Sequence, residues 1–299
     1  MNPVDLYTYA RGIVRGVKRG TTFPASTRRS FQAAPGGSRV LSERRAVGNQ
    51  LVALEHTEHV LPVHGLASPL SILQLSDCHI RGHDDVLDTI LGALVGLTPD
   101  LVVLTGDTIT RGWKRDAADR LLAALPDAPL GRFAIMGNWE YWGRVETESW
   151  RWFCGRHGVR LLLNESVALD PLTLCGTDDL LAGTPDVAKT YSGVDFSRPV
   201  VTLTHSPALF PELVRPGVNL VLSGHTHGGQ VLLPLVGAPF LPRASGEFPA
   251  GWYHQDGTWL FVSRGVGWSV APFRVRCRPE LATIRLVPGS LVPPAPPAP

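Results

Sequence analysis

A chain of 299 residues with 44% hydrophobic and 18% charged residues has the make-up of a globular enzyme rather than of a disordered or fibrous protein. Its formal net charge of +2 gives no case for general nucleic-acid binding, and no run of about 20 apolar residues is long enough to span a membrane. Cysteines at 78, 154, 175 and 277 form no C-x-x-C pair, which argues for a reduced compartment and against a structural thiolate zinc site.

Residues 1–50 read as a basic N-terminal segment, with nine Arg or Lys in its first 45 residues against Asp5 and Glu43. Leu6, Ala10, Ile13 and Val17 recur at helical spacing with Arg11, Arg15 and Lys18 on another face. That pattern fits a helix lying on an anionic membrane surface, a solvated basic tail or, in an organelle-bearing source, a transit peptide. Thr27-Arg28-Arg29-Ser30-Phe31 resembles a twin-arginine export signal, but QAAPGGSRVLSERR after it supplies no apolar stretch.

Residues 51–288 hold five apolar runs, SILQL, LVVLT, FAIM, VVTL and NLVLS, each stopping at a polar island. The islands are Asp77-Cys78-His79, Gly106-Asp107, Gly137-Asn138-Trp139-Glu140, Thr204-His205 and Gly224-His225-Thr226-His227. Short runs rich in Val, Ile and Leu predict buried parallel strands near 71–76, 101–105, 132–136, 199–204 and 218–223, with two more near 160–163 and 172–176. Helices are predicted near 84–97, 115–125, 146–157 and 207–214, the first from Val86, Leu87, Ile90, Leu91 and Leu94 at helical spacing. Runs at 231–233, 259–262 and 281–286, separated by Gly and Pro, predict antiparallel strands of a second sheet packed on the first. The expected fold is α/β, a four-layer α/β/β/α sandwich. Residues 289–299 read as a Pro-rich, extended tail.

In an open α/β sheet, residues at strand carboxyl ends converge even when far apart in sequence. Two Asp, one Asn and four His are too many for one tetrahedral ion and right for two divalent ions sharing a bridge, with Mn, Fe, Zn or Co suited to the donors. A single His is more often a satisfied core or surface residue, and six of the ten lie outside the islands. Five islands together, each at a strand end, point to a metal centre. Cys78 is expected to face away from Asp77 and His79 because side chains alternate along a strand. Two cations roughly 3.5–4 Å apart clamp phosphoryl oxygens and hold a bridging hydroxide in line with phosphorus, so no protein nucleophile is needed.

The ordered pattern D-x-H, G-D, G-N-x-E, H, G-H-x-H resembles the calcineurin-like metallophosphoesterases over residues 68–288. The stretches SGHTHGGQVLLP and FVSRGVGWSVAPFRVRCRPELATIRL look most like its bacterial YkuE/YaeI-like branch. The resemblance implies Asp77, His79 and His227 on one ion, Asn138, His205 and His225 on the other, and Asp107 bridging. It also implies a catalytic role for Asp107, Asn138, His205 and the residue at position 139. Here the chain departs from the pattern, with Trp139 in place of the usual His. Indole donates a hydrogen bond but does not ionise, so it cannot protonate a leaving oxygen. Either the leaving group departs as a stable anion, or His83, His254 or a metal-bound water supplies the proton. Trp139 can equally be a wall packed with Tyr141 and Trp142. Arg81 and Arg264 are candidates to meet substrate phosphate, each also readable as a solvated surface residue.

The expected activity is dinuclear-metal hydrolysis of a phosphodiester or pyrophosphate, on a lipid-linked or nucleotide substrate such as UDP-2,3-diacylglucosamine. Alternatives are a cyclic-nucleotide or other phosphodiesterase or phosphomonoesterase, and a catalytically weakened metal-binding phosphate sensor. The expected setting is cytoplasmic, either free or peripheral to the inner membrane through an anionic surface, with a small-molecule substrate and no specific nucleic acid or protein partner.

Overall fold

A computed structural model describes residues 34–44, 53–269 and 272–289. The basic helical pattern of residues 6–18, the paired arginines at 28–29 and the Pro-rich tail beyond 289 lie outside the described residues.

Six strands come first in chain order: β1 (Ser38–Arg44), β2 (Leu54–Val63), β3 (Leu70–Leu75), β4 (Leu101–Thr105), β5 (Arg132–Ile135) and β6 (Val159–Leu161). Six more form a second sheet: β7 (Glu165–Ala168), β8 (Thr173–Gly176), β9 (Val200–Leu203), β10 (Val218–Ser223), β11 (Gly251–Gln255) and β12 (Thr258–Val262). The chain then returns to the first sheet with β13 (Glu280–Pro288), giving the orders β1-β2-β13-β3-β4-β5-β6 and β11-β12-β10-β9-β8-β7. Strands β3 to β6 are mutually parallel, as are β8, β9, β10 and β12.

Period-2 side-chain alternation builds the layers. In β4, Leu101 and Val103 face the second sheet, where they meet Leu203, Leu220, Leu222 and Phe261. Val102 and Leu104 face α1 (Asp85–Leu94), α2 (Arg115–Ala123) and, past the short α3 (Asn138–Trp142), α4 (Thr147–Gly155), packing with Leu87, Ile90, Leu121, Trp150 and Phe153. The outer face of the second sheet is covered by α5 (Val187–Thr190) and α6 (Phe210–Leu213), with Phe210 and Leu213 against Val221 and Leu260. The result is the expected α/β/β/α sandwich. Asp84 caps α1 by accepting from the Leu87 amide at 3.1 Å, and Val86, Leu87, Ile90 and Leu94 are its buried face.

The second sheet is assembled differently from the sequence expectation. Residues 281–286 lie in β13 of the first sheet, antiparallel to β3 and parallel to β2. Residues 259–262 lie in β12, antiparallel to β11 as expected but parallel to β10 on its other side. Val231 and Leu233 make only isolated bridges, to Val275 and Gly237. Two metal-island strands, β9 and β10, belong to the second sheet, so both sheets feed the centre. Strand propensity carries no information about partner or direction, and that is where the expectation failed. Strand β2, LEHTEHVLPV, escaped notice because Glu55, His56, Thr57 and His59 are buried polar residues rather than an apolar face. Glu280 of β13 compensates Thr57 and His59, accepting from Thr57 Oγ1 at 2.8 Å and lying 3.4 Å from His59 Nε2, while Glu55 is held by Arg264 and Arg278.

One buried side chain ties the sheets together beneath the centre. Gln74 Nε2 donates to Thr105 Oγ1 on β4 and to the Ser223 carbonyl on β10, each at 3.0 Å. The ends of β3, β4 and β10, which carry three of the islands, are thereby fixed relative to one another.

Candidate metal centre

Each strand end turns sharply into its island. Asp77, His79, Asp107, His225 and His227 all have positive φ, between 50° and 72°, a region uncommon for residues with a Cβ and one that clusters at functional sites. Gly106, at φ 88°, lets the chain pass where a Cβ would fall 2.6 Å from His205 Nδ1. At Gly137 a Cβ would fall 2.8 Å from His205 Nε2. The glycines of the G-D and G-N islands are therefore there for close approach.

Two groups form. Asp77, His79 and His227 converge as one, and Asp107, His205 and His225 as the other. His227 Nε2 lies 2.9 Å from His79 Nε2 and 3.4 Å from Asp77 Oδ1. Asp107 Oδ2 sits between the groups, 3.2 Å from His205 Nε2 and 3.7 Å from His79 Nε2. All six residues are buried.

The donor set fits divalent cations on two observations. His205 Nδ1 donates to the Thr105 carbonyl at 2.8 Å and His225 Nε2 donates to the Arg243 carbonyl, since a carbonyl only accepts. In the neutral rings, lone pairs then remain on His205 Nε2 and His225 Nδ1, which face each other at 3.2 Å. Two lone pairs in that position need a cation or a proton between them. The second observation is Asn138, one residue past Gly137, whose Oδ1 is buried without a hydrogen-bond partner. An orphaned amide oxygen beside carboxylate and imidazole is a ligand in waiting.

Backbone and side chains around the ligands fix their geometry. Ser76 Oγ donates to Asp77 Oδ2 at 2.6 Å, and the His225 amide reaches the same carboxylate at 3.0 Å. Asp107 Oδ1 accepts from the Trp139 amide at 2.8 Å, leaving Oδ2 for the space between the groups. Glu140 accepts from the amides of Gly137, Asp107 and Ile109 at 2.8, 3.1 and 3.2 Å, locking the second and third islands together. Arg274, fully buried, donates to the carbonyls of Gly267, Gly265 and His227 and lies 3.1 Å from His227 Nδ1. Nothing in FRVRC marks Arg274 as internal, because a lone Arg in a polar loop reads as surface.

Electrostatics agree with a cation site. Burial pushes Asp77 up to about 6. Burial acts on Asp107 in the same sense but is outweighed, chiefly by the charge and hydrogen bond of His205, so that Asp107 lies below its ordinary value. His205 is raised despite burial, mainly by Asp107. Burial lowers His79 to about 3 and His225 to about 4, and lowers His227 well below its ordinary range, so three imidazoles are neutral and able to ligate. Burial, then Asp107, pushes Glu140 up to about 8 against its three amide donors.

The remaining candidates divide. Trp139 stands beside the centre, edge-on to His79 with ring centroids 5.6 Å apart and packed against Trp142 at 5.5 Å. Tyr141 is not part of that wall, since its hydroxyl donates to Asp178 at 2.5 Å. Arg81 lies flat on Trp268, 3.7 Å from the ring centroid, and donates to the Ser269 carbonyl. Arg264 is occupied elsewhere, held by Glu280 and Glu55 at 3.1 and 2.9 Å. His83 is on the surface between Asp116 and Arg120. His254 pairs with Trp259 at the start of β12, the end away from the centre. Cys78 is in the helix-side core, away from the candidate ligands as expected, though residues 77–79 lie past the end of β3 with Asp77 and His79 at positive φ.

A family model described as calcineurin-like phosphoesterase matches residues 70–229. The chain is 30% identical over 249 residues to "Uncharacterized metallophosphoesterase YkuE" of Bacillus subtilis, covering 78% of this chain and 85% of that protein. It is 30% identical over 234 residues to "Phosphodiesterase YaeI" of Escherichia coli, covering 74% and 83%. It is also 32% identical over 251 residues to "Transmembrane protein with metallophosphoesterase domain" of Danio rerio, covering 76% of this chain and 56% of that protein.

Proposed function

The chain belongs to the calcineurin-like phosphoesterase family, and on that footing we propose that it is a two-metal phosphodiesterase acting on a phosphodiester or pyrophosphate whose leaving group departs as a stable anion. The observation that carries the reading is the convergence of six carboxylate and imidazole donors from four strand ends, with Asp107 Oδ2 between the two groups and the buried, unpartnered Asn138 Oδ1 on a fifth. Asp77, His79 and His227 would hold one ion; Asn138, His205 and His225 the other; Asp107 would bridge. When bound, such ions supply positive charge to phosphoryl oxygens and lower the pKa of water.

The chain's own residues do the rest. Glu140 and the Trp139 amide aim Asp107, and the Thr105 and Arg243 carbonyls set the tautomers of His205 and His225. Arg81, two residues past His79 and stacked on Trp268, is the side chain we assign to meet a substrate oxygen. Trp139 occupies the place of a proton donor without being one. That favours a nucleotide or aryloxide leaving group over an alkoxide. The similarity to YaeI, a phosphodiesterase by name, supports the diester, and that to the zebrafish transmembrane protein supports a membrane setting. UDP-2,3-diacylglucosamine belongs to the substrate class, as a pyrophosphate with a nucleotide leaving group.

The test is hydrolysis of bis(p-nitrophenyl) phosphate by metal-stripped protein reloaded with Mn, Fe, Zn or Co. Turnover that requires added metal, and that exceeds turnover of p-nitrophenyl phosphate, is expected. A fully loaded protein that cleaves neither ester would instead support the metal-binding phosphate sensor.

A further inference from the structure

The segment after His227 is apolar, protruding and clamped to the centre at both ends. It leaves the His227–Gly229 turn, and Val275 pairs with it through the Gln230 carbonyl and the Leu232 amide, each at 2.9 Å. It then turns back on itself between Leu233 and Gly237, joined by two backbone hydrogen bonds of 2.8 and 2.9 Å, and returns to Arg243, whose carbonyl accepts from His225. Its tip puts apolar side chains in water: Leu235 is 107% exposed and Val236 65%. Leu233 and Phe240 on the same segment, and Phe273 and Val275 on the adjoining one, are exposed as well. Scattered exposed leucines are ordinary, but six large apolar side chains on two bridged segments are not.

Charge decides what such a surface meets. Residues 228–246 and 264–279 contain no Asp or Glu, while Arg243 and Arg276 are exposed on them. An apolar tip on segments that carry exposed Arg243 and Arg276 and no acidic residue is complementary to an anionic lipid surface, where apolar side chains enter the acyl boundary and guanidinium groups stay with phosphates.

We propose that the 231–243 hairpin, with Phe273 and Val275, docks the enzyme on an anionic phospholipid bilayer and presents the metal centre to phosphoesters at that surface. The docking stands on the hairpin alone. Its purpose rests on the phosphodiesterase reading above and deepens it, naming the substrate class as amphiphilic. Because both ends of the hairpin are fixed to metal-ligand residues, seating its tip in the bilayer sets the height of the centre over the headgroups.

The experiment uses the full chain and its Leu235→Glu/Val236→Glu variant. Both are sedimented at about 0.15 M salt with vesicles of phosphatidylcholine and phosphatidylglycerol at three to one. The wild type is expected to co-sediment, and the variant to partition at least roughly tenfold less, with bis(p-nitrophenyl) phosphate turnover unchanged because a soluble ester needs no docking. Wild-type protein that stays in solution, or a variant that binds as well as wild type, overturns the proposal; the latter would assign binding to the basic N-terminal residues. A wild-type dimer in solution that the variant disperses also overturns it, by making the hairpin a self-association surface. Sedimentation does not require turnover, so failure of the phosphodiesterase reading would leave the docking result standing.

Discussion

Asp107→Asn is expected to bind at most one divalent ion per chain and to lose at least roughly a thousandfold in turnover of bis(p-nitrophenyl) phosphate. Among the described residues, Asp107 is the carboxylate that pairs with both groups, through an oxygen 3.2 Å from His205 Nε2 and 3.7 Å from His79 Nε2. Its other oxygen is taken by the Trp139 amide. An amide there keeps that hydrogen bond only by turning its N–H2 toward two imidazole nitrogens, which replaces a shared anion with a pair of donors. The substitution also removes the main charge that raises His205, leaving two neutral rings with opposed lone pairs and nothing between them. Elemental analysis of the purified variant, set beside its turnover, reads both effects. Two ions per chain with wild-type rates would remove Asp107 from the bridge.

Trp139→His is expected to raise hydrolysis of poor leaving groups by up to roughly 10²–10⁴-fold while leaving nitrophenyl esters nearly unchanged. The indole stands 5.6 Å from His79, centroid to centroid, so a ring in its place is near enough to the centre to reach a departing oxygen. With the wild type, the logarithm of the rate should fall steeply as leaving-group pKa rises across a series of aryl and alkyl diesters. The variant should flatten that slope. The contact with Trp142 is the competing effect: losing it loosens the wall and lowers every rate together, which moves the intercept without changing the slope. An unchanged slope would show that the proton comes from another source. Neither surface-paired His83 nor distant His254 is placed to be that source.

The centre was legible in sequence because its chemistry is local. Each candidate ligand sits just after an apolar run, and Cys78 lies in the helix-side core as expected, although the turns at Asp77 and His79 past the end of β3, not strand alternation, put it there. Pairing was less legible. The expectation assigned residues 281–286 to the second sheet, whereas β13 inserts between β2 and β3, because strand propensity says nothing of topology. The supporting residues were illegible for a different reason. Gln74 and Arg274 are polar residues whose role comes from burial, which leaves no periodic mark for a lone polar side chain, while Glu140 stood in the third island without its backbone-bracing role being visible. Arg264 was misread in the same way: the partners that occupy it, Glu55 and Glu280, stand 209 and 16 residues away. The left-handed conformations of Asp77, His79, Asp107, His225 and His227 were likewise hidden, since only glycine announces positive φ in a sequence.

The most direct measurement is anomalous scattering from crystals of the protein grown with manganese. Two peaks are predicted, roughly 3.5–4 Å apart, one contacting Asp77, His79 and His227, the other Asn138, His205 and His225, with Asp107 touching both. A single peak, or two peaks that Asp107 does not join, would contradict the account.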